Sequence, residues 1–464
     1  MVEPVQQMVR VAFATLGCKV NQYETQRIIE TFEDKGFAVV GFDEPAELYV
    51  INSCSVTQLA EKKSLQIVRR AVRQSSGSRV VLTGCFAQFT ILRGESVVEA
   101  TLIVPNTDKM RTVEYVLEAL PDIRERVQQN PAPPVLRNPY ERTRAVVKVQ
   151  DGCDVRCSFC SIPYTRPRMF SRPYQEVLDE VRRLVDEGFK EVVLTGVLIG
   201  SYGEETGSGG PDLAELIQQM ARIEGLERIR ISSIELTQVT DRLIEVCANE
   251  PKVCPHLHIP LQSGDDQVLQ AMNRPYRQQD VLRLAEKLYS KIADLAITTD
   301  ILVGFPGEHE EAFRQTCRVV EQVQYARAHI FRYSPRPGTP AASMDDQIPD
   351  SEKERRSHTL AELCRTYRER FVAARLGRTM RVLVEGKQSK DGLMKGLTDN
   401  YIPVEFAGGA QLAGQLVWVR LLELTDDGAL GELVSTFSGG HENERLHLLP
   451  DRTEAGGVFL RVRG

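Results

Sequence analysis

Hydrophobic positions run along this chain in two rhythms that change from one region to the next. Between residues 10 and 120, short apolar runs alternate with amphipathic stretches. VAFATLG (11–17), ELYVINS (47–53) and RVVLTG (79–84) predict strands, and 22–35 and 57–74 predict helices. That alternation predicts a parallel sheet with helices on its faces. From 140 to 340, six more apolar runs predict buried strands: AVVKVQ (145–150), EVVLTG (191–196), RIRISS (228–233), HLHIPL (256–261), AITTDILVG (296–304) and AHIFRYS (328–334). Helical patterns such as 174–187 and 310–323 lie between them. Six such units predict a parallel barrel or partial barrel, with its chemistry at the C-terminal strand ends. Five prolines between 121 and 139 predict a linker, since PAPP suits neither a helix nor a central strand. A charged helical stretch over 350–375 leads to short strands: TMRVLVEG, YIPVEF, QLVWVRLLEL and ELVSTF. The turn dipeptides Asp391-Gly392 and Asp427-Gly428 separate some of them. These predict a small all-β barrel of the OB type or a relative. The expected organisation is therefore an α/β domain at 10–120, a linker at 121–139, a barrel with its following helix at 140–375, and a β domain at 376–447.

Composition narrows the class. The chain has 464 residues, 42% hydrophobic and 26% charged, which suits several packed domains and excludes disorder or a small disulfide scaffold. No apolar run reaches membrane-spanning length, and MVEPVQQMVR lacks the apolar stretch of a secretory signal. The expectation is a cytoplasmic protein with no membrane partner. A net charge of −6 argues against a polybasic tail binder, while local patches still allow nucleic acid.

Ten cysteines in such a chain point to metal or redox chemistry rather than disulfides. Cys247, Cys254, Cys317 and Cys364 stand singly and are expected to act as small buried hydrophobes. Cys153, Cys157 and Cys160 lie in QDGCDVRCSFCSIPYTRPR, directly after the first barrel strand. Thiolates are the usual iron–sulfur ligands, and three on one tight loop leave a fourth iron open to a ligand. A structural zinc would want a fourth ligand nearby, and the nearest histidine, His256, is about 100 residues away. Cys18, Cys54 and Cys85 are far apart in sequence, yet LGC, NSC and TGC each follow a predicted strand. In a parallel sheet those strand ends share one edge, so the thiols can converge there; the plain alternative is three separate buried cysteines. Gly17 and Gly84 would let the backbone turn beside a bulky group.

Cys-x3-Cys-x2-Cys with Phe159 before the last cysteine resembles the radical S-adenosylmethionine (SAM) enzymes. TLGCKVNQYET (15–25), NSCSVT (52–57) and TGC (83–85) resemble the N-terminal domain of the methylthiotransferases within that superfamily. VLTGVLIGSYG (193–203), PHLHIPLQSG (255–264), MNRPY (272–276), TTDILVGFPGE (298–308) and FRYSPRPGTPAA (331–342) match the barrel, and the last region resembles the TRAM RNA-binding domain. The likeness spans about residues 10 to 445. It implies a radical SAM partial (β/α)6 barrel and a TRAM-like β domain. It also implies two [4Fe–4S] clusters, an auxiliary one on Cys18, Cys54 and Cys85 and a SAM-binding one on Cys153, Cys157 and Cys160. GCKVNQYE and NSCSVT look most like the MtaB-like branch, which adds a methylthio group at C2 of N6-threonylcarbamoyladenosine 37 of tRNA through a 5′-deoxyadenosyl radical. Two alternatives stay open inside the family: isopentenyladenosine 37 of tRNA, and an aspartate of a ribosomal protein. Outside it, the alternative is a metal-stabilised RNA-binding protein without radical chemistry. TRPRMFSRP (165–173) departs from the family, which usually carries a glycine-containing stretch there.

The resemblance also implies partners: the tRNA anticodon loop with A37, an electron donor and a sulfur source. An unactivated C–H bond offers no acidic proton, so no protein acid or base is assigned. Phe159, Thr195, Gly196, Glu235, Gln262 and Ser263 are candidate SAM contacts. His256 and His258 share a strand face and are expected to pack or support rather than to ligate metal. For RNA, the helix over 57–74 carries Lys62, Lys63, Arg69, Arg70 and Arg73 on one flank, with Leu65, Val68 and Val72 on the other. Such a run is a solvated face or a phosphate track. Arg166, Arg168 and Arg172 are further phosphate candidates. The TRAM-like region carries seven Lys/Arg against ten Asp/Glu, so RNA binding there needs a local patch or stacking. Trp418 is expected in its core.

Overall fold

The computed structural model describes residues 8–75, 77–129, 131–132, 143–204 and 210–436. Five strands open the chain: β1 (Arg10–Thr15), β2 (Ala38–Val40), β3 (Leu48–Ser53), β4 (Arg79–Gly84) and β5 (Leu102–Ile103). They form one parallel sheet in the order β2-β1-β3-β4-β5. The helices α1 (Lys19–Asp34), α2 (Gln58–Gln74), α3 (Cys85–Arg93), α4 (Thr112–Ala119) and α5 (Pro121–Gln129) cover it. Every residue of β3 is buried, as expected of a central strand with helices on both faces. The short strands β2 and β5 escape the sequence pattern because two or three residues carry no period.

The expected linker starts later than its prolines suggest. Pro121 opens α5, where a missing N–H costs nothing, and Ile123 and Val127 bury against Val113 and Val116 of the same core. Residues 133–139 lie outside the described residues.

The central domain contributes β6 (Ala145–Lys148), the short pair β7 (Gln150–Asp151) and β8 (Phe170–Ser171), then β9 (Glu191–Thr195), β10 (Arg228–Ile231), β11 (His256–His258), β12 (Ala296–Val303) and β13 (Arg327–Arg332). β6, β9 and β10 form one parallel half, and β11, β12 and β13 the other. Parallel bridges Ile229–Val253 and Ser233–His258 join the halves into a six-stranded open barrel. Its helices are α6 (Ile162–Thr165), α7 (Tyr174–Asp186), α8 (Leu213–Ala221), α9 (Asp241–Asn249), α10 (Asp266–Ala271), α11 (Gln278–Lys291) and α12 (Glu310–Val323). α13 (Asp350–Ala373) leads out of it. The last domain is a closed barrel of β14 (Thr379–Gln388), β15 (Met394–Thr398), β16 (Pro403–Phe406), β17 (Leu416–Leu424) and β18 (Ala429–Thr436). Both Asp-Gly dipeptides fall in its hairpin turns, between β14 and β15 and between β17 and β18. Residues 437–447 of the expected domain lie outside the described residues.

Trp418 corrects an expectation. Strand alternation turns Val417 and Val419 into the barrel at 0% exposure, which forces Trp418 outward at 36%. The bulk of a tryptophan favours the core, and here the register decides otherwise.

Candidate functional site

In an open parallel sheet of order 2-1-3-4-5, the crevice lies outside the C-terminal strand ends, where the order reverses between β1 and β3. Cys54 and Cys85 directly follow β3 and β4, and Cys18 caps α1 just after β1. Gly17 (φ +98) comes so close to Cys54 that a Cβ there would stand 2.8 Å from its Sγ. Gly84 (φ +93) turns the chain into α3, and a Cβ there would meet Ser53 O at 2.4 Å. Cys18 is exposed, whereas Cys54 and Cys85 are buried. Burial pushes the Cys54 thiol up to about 11, and the neighbouring Cys85 and Cys18 add to the rise. Val56 N donates to Cys54 Sγ at 3.4 Å. Buried beside these thiols, Asn52 Oδ1, Ser55 Oγ and Thr83 Oγ1 have no hydrogen-bond partner.

The second set sits on the loop after β7. Gly152 (φ +80) leaves no room for a side chain, because a Cβ would stand 2.1 Å from Arg168 O. The departing segment 165–173 is thus structural, since through β8 it pairs with β7 and braces the entrance to the cysteine loop. Cys160 N bonds Cys157 O at 3.0 Å, and Ile162 N donates to Cys160 Sγ at 3.4 Å. Arg274 Nη1 donates to Cys157 Sγ at 3.0 Å, its Nη2 pairs with Glu235, and its Nε donates to Tyr276 Oη at 3.1 Å. Burial pushes Cys160 up to about 12 and Cys153 to about 11. Among the described residues, no three His, Cys, Asp or Glu side chains are grouped tightly enough to hold a single metal ion.

A cleft of about 440 Å³ opens beside this loop, lined by Asp154, Val155, Leu198, Glu235, Gln238 and Arg274 among others. Of the six candidate SAM contacts, only Glu235 lines it. Thr195 is buried at the end of β9, and Gly196 packs against Gln150. Phe159 meets Phe305 edge-on at 6.3 Å in a small apolar cluster. Gln262 takes a left-handed backbone (φ 61) and bonds Asp300 O through its N–H. Ser263 is buried and accepts from Asp265 N at 3.2 Å. Arg274 escapes the sequence reading because a lone arginine in MNRPY carries no periodic signal. His256 and His258 share Thr298 Oγ1, at 3.0 and 2.9 Å.

The RNA candidates divide. Lys62, Lys63, Arg69, Arg70 and Arg73 are all exposed on α2, with Arg69 paired to Glu99 at 3.0 Å and Arg70 to Asp43. The buried stripe of that helix is Ser64, Val68 and Ala71, while Val72 is exposed. Arg168 is exposed as well. Arg166 and Arg172 are corrections. Arg166 is buried and donates to Glu24 Oε2 (2.8 Å), Asp151 Oδ1 (2.7 Å) and Asn21 Oδ1 (2.9 Å). Glu24 is also held by Lys109 and by Lys148 at 2.8 Å. Burial alone would raise the Glu24 carboxyl; Lys109, Arg166 and Lys148 overcome it and hold it well below the carboxylate range. Arg172 bonds Glu180 (2.5 Å) and Tyr23 (2.9 Å). These two arginines fasten the first domain to the barrel; their charge is legible in the sequence, but the first-domain partners Glu24 of Arg166 and Tyr23 of Arg172 come from a distant segment.

An open six-stranded parallel barrel with a three-cysteine loop after its first strand defines a radical SAM fold. The Radical SAM superfamily model matches residues 147–320, the uncharacterized protein family UPF0004 matches 10–103, and the TRAM domain matches 373–434. The radical SAM methyltransferase TsrM from Kitasatospora setae has a similar fold, with a TM-score of 0.52 and 15% identity, covering 72% of this chain and 77% of that one. Curated relatives go further. "Threonylcarbamoyladenosine tRNA methylthiotransferase MtaB" of Bacillus subtilis (strain 168) is 37% identical, over 90% of this chain and 94% of the relative. Its namesake in Thermotoga maritima is 37% identical, over 91% and 96%. A "tRNA-2-methylthio-N(6)-dimethylallyladenosine synthase" of Akkermansia muciniphila is 34% identical, over 90% and 97%. The chain belongs to the radical SAM methylthiotransferase family and is an enzyme of that class.

Membership brings SAM and a [4Fe–4S] cluster. The barrel loop suits such a group: its sulfurs receive N–H donors from Ile162 and Arg274, which neutralise thiolate charge as donors around clustered sulfurs do. No helix among the described residues is long and apolar enough to cross a membrane.

Proposed function

We propose that this enzyme adds a methylthio group at C2 of N6-threonylcarbamoyladenosine 37 of tRNA, and that it carries two [4Fe–4S] clusters. Cys153, Cys157 and Cys160 would hold the one that binds SAM; Cys18, Cys54 and Cys85 would hold the auxiliary one. The observation that carries the two-site reading is Arg336. Buried at 7% exposure, it donates to Ser55 O, next to Cys54, and to Ser161 Oγ at 3.0 Å, next to Cys160. One guanidinium thus ties together the loops that bear the two cysteine sets, as a transfer between neighbouring centres requires. The orphaned oxygens of Asn52, Ser55 and Thr83 suit a polar cofactor at the first set.

When bound, the clusters supply the one-electron chemistry that an unactivated C–H bond demands. The chain's own residues bind and orient. Arg274 holds Glu235 at the cleft and donates to Cys157. Exposed Lys62, Lys63, Arg73 and Arg168 give a phosphate-binding face, and outward-facing Trp418 offers a base a stacking surface despite the acidic balance of its domain. An electron donor and a sulfur source complete the reaction. The threonylcarbamoyl branch is favoured by its relatives and by TLGCKVNQYET at the first cysteine.

The test is anaerobic reconstitution followed by reaction with anticodon stem-loops and nucleoside mass spectrometry. Two cubanes predict about eight iron per chain. Methylthiolated threonylcarbamoyladenosine is the expected product. Turnover of the isopentenyl stem-loop alone would move the enzyme to the other tRNA branch; turnover of neither would point to the protein substrate.

A further inference from the structure

We infer that the buried charge cluster around Lys109 is a redox-tuning element, whose one excess positive charge raises the reduction potential of the auxiliary cluster on Cys18, Cys54 and Cys85. This rests on the two-cluster reading above. Lys109, in the short helical turn Asn106–Arg111, pairs with Glu24 of α1. Arg166 bonds Glu24 at 2.8 Å and Asp151 at 2.7 Å, and Lys148 bonds the same two carboxylates at 2.8 and 2.9 Å. Among the described residues, every ion pair of the three cations is with Glu24 or Asp151, so three positive charges meet two negative ones. Lys109, Arg166 and Glu24 are only 3%, 4% and 1% exposed. An excess charge withdrawn from water in this way is costly unless an anion stands beside it.

Hydrogen bonds lead from these cations to the auxiliary cysteines. The buried Asn21 Oδ1 accepts from Arg166 Nη2 at 2.9 Å and from Lys109 Nζ at 3.5 Å. Its Nδ2 donates to Leu16 O at 2.9 Å and to Ser53 O at 3.1 Å, on the loops that carry Cys18 and Cys54. A Cβ on Gly17 would stand 3.4 Å from Asn21 Nδ2 and 2.8 Å from Cys54 Sγ, so amide and thiol flank the same glycine. From the turn that bears Lys109, Asn106 N donates to Gln88 Oε1 at 3.0 Å, one helical turn after Cys85. One amide and one short turn therefore connect the excess charge to all three cysteine loops. Lys109 and Arg166 also lie within electrostatic range of Cys85.

A [4Fe–4S] group on three thiolates is negatively charged in both redox states, and each added electron makes it more so. Such potentials follow net charge, hydrogen bonding and burial. A buried positive charge favours the reduced state, and surroundings of low dielectric screen it poorly. Lys109 belongs to the first domain, and its contacts run to that domain's cysteine loops, so its charge acts more strongly on the auxiliary cluster than on the barrel one.

The test is potentiometric titration of the anaerobically reconstituted full-length enzyme, followed by electron paramagnetic resonance. Added SAM changes the spectrum of the barrel cluster and so assigns the two signals. Lys109→Met should lower the reduction equilibrium of the auxiliary cluster by roughly tenfold, which is about 59 mV for one electron. Lys109→Arg should restore the wild-type potential. Glu24→Gln removes an anion from the same group and should move the potential the opposite way. Iron content and circular dichroism check that each variant is folded and loaded; should Lys109→Met fail to load, Lys148→Met, at the partly exposed rim, carries the same expected sign. A merely structural role would not give opposite signs. No shift, equal shifts at both clusters, or shifts of one sign in Lys109→Met and Glu24→Gln would each overturn the inference. Failure of the underlying reading is seen separately: wild type would then bind about four iron per chain and show only the SAM-sensitive signal.

Discussion

Replacing Glu191 with glutamine should loosen the C-terminal barrel from the rest of the enzyme. Glu191 is buried at the start of β9 and bonds two buried arginines, Arg228 and Arg230. Those arginines reach onward: Arg228 donates to Leu397 O (3.1 Å) and Arg381 O (2.6 Å), and Arg230 to Asp399 O (3.0 Å) and Thr398 O (3.3 Å). Glu191 is the carboxylate that touches both of the guanidiniums that grip the last domain, and Asp399 of that domain adds a second counter-charge to Arg228. Burial by itself would raise the Glu191 carboxyl; Arg230 and Arg228 overcome it and hold it down to about 2, against an ordinary 4.5. At about 1.36 kcal/mol per pH unit, that depression corresponds to about 3 kcal/mol, within the range for breaking a buried ion pair from one side. Because the folded pKa is depressed, this stability is present above pH 4.5 and is lost as pH falls toward 2. Trp418, the chain's one tryptophan, lies in the C-terminal barrel, so its fluorescence follows that domain during urea unfolding. The expected result is a loss of about 3 kcal/mol for Glu191→Gln at pH 7, shrinking as the pH is lowered below 4.5. A loss under about 1 kcal/mol, or one independent of pH, would refute the reasoning.

Other expectations follow from the same geometry. Replacing Lys62 and Lys63 together with alanine should reduce the slope of log K for tRNA against log salt by about 1 to 2, whereas Arg166→Gln should leave the slope unchanged and lower stability, both read by filter binding and thermal unfolding. Gly84→Ala forces a side chain into Ser53 O at a positive φ, so it should cost at least about 2 kcal/mol and reduce iron bound through Cys85, measured by unfolding and metal analysis. Glu308 is bonded to Arg356 at 3.0 Å, yet burial pushes its carboxyl up to about 7. Its contribution to stability is full below pH 4.5 and lost as pH rises through about 7, so Glu308→Gln should gain on wild type in unfolding free energy between about pH 5 and 8.

The chain's local pattern carries most of its architecture. Buried parallel strands must be continuous apolar runs, and five of the six barrel strands are legible as buried on that ground, as are both Asp-Gly turns; β13 is a strand as expected, but at the edge of the open barrel none of its residues is buried. The cysteine spacing 153–157–160 is equally legible, because three cysteines on one loop need no tertiary information to be neighbours. The triad 18–54–85 is half legible: each thiol's place after a strand can be read, but their meeting depends on the order of strands in the sheet. Pairings between distant segments are not legible at all. Arg166 and Arg172 look like free cations until Glu24 and Tyr23 arrive from the first domain, and Trp418 looks like core until register turns it outward. The same reason explains Arg274 and Arg336. A charged side chain has no period and announces no partner, so its role is fixed only when folding brings an opposite charge to it, or leaves it without one.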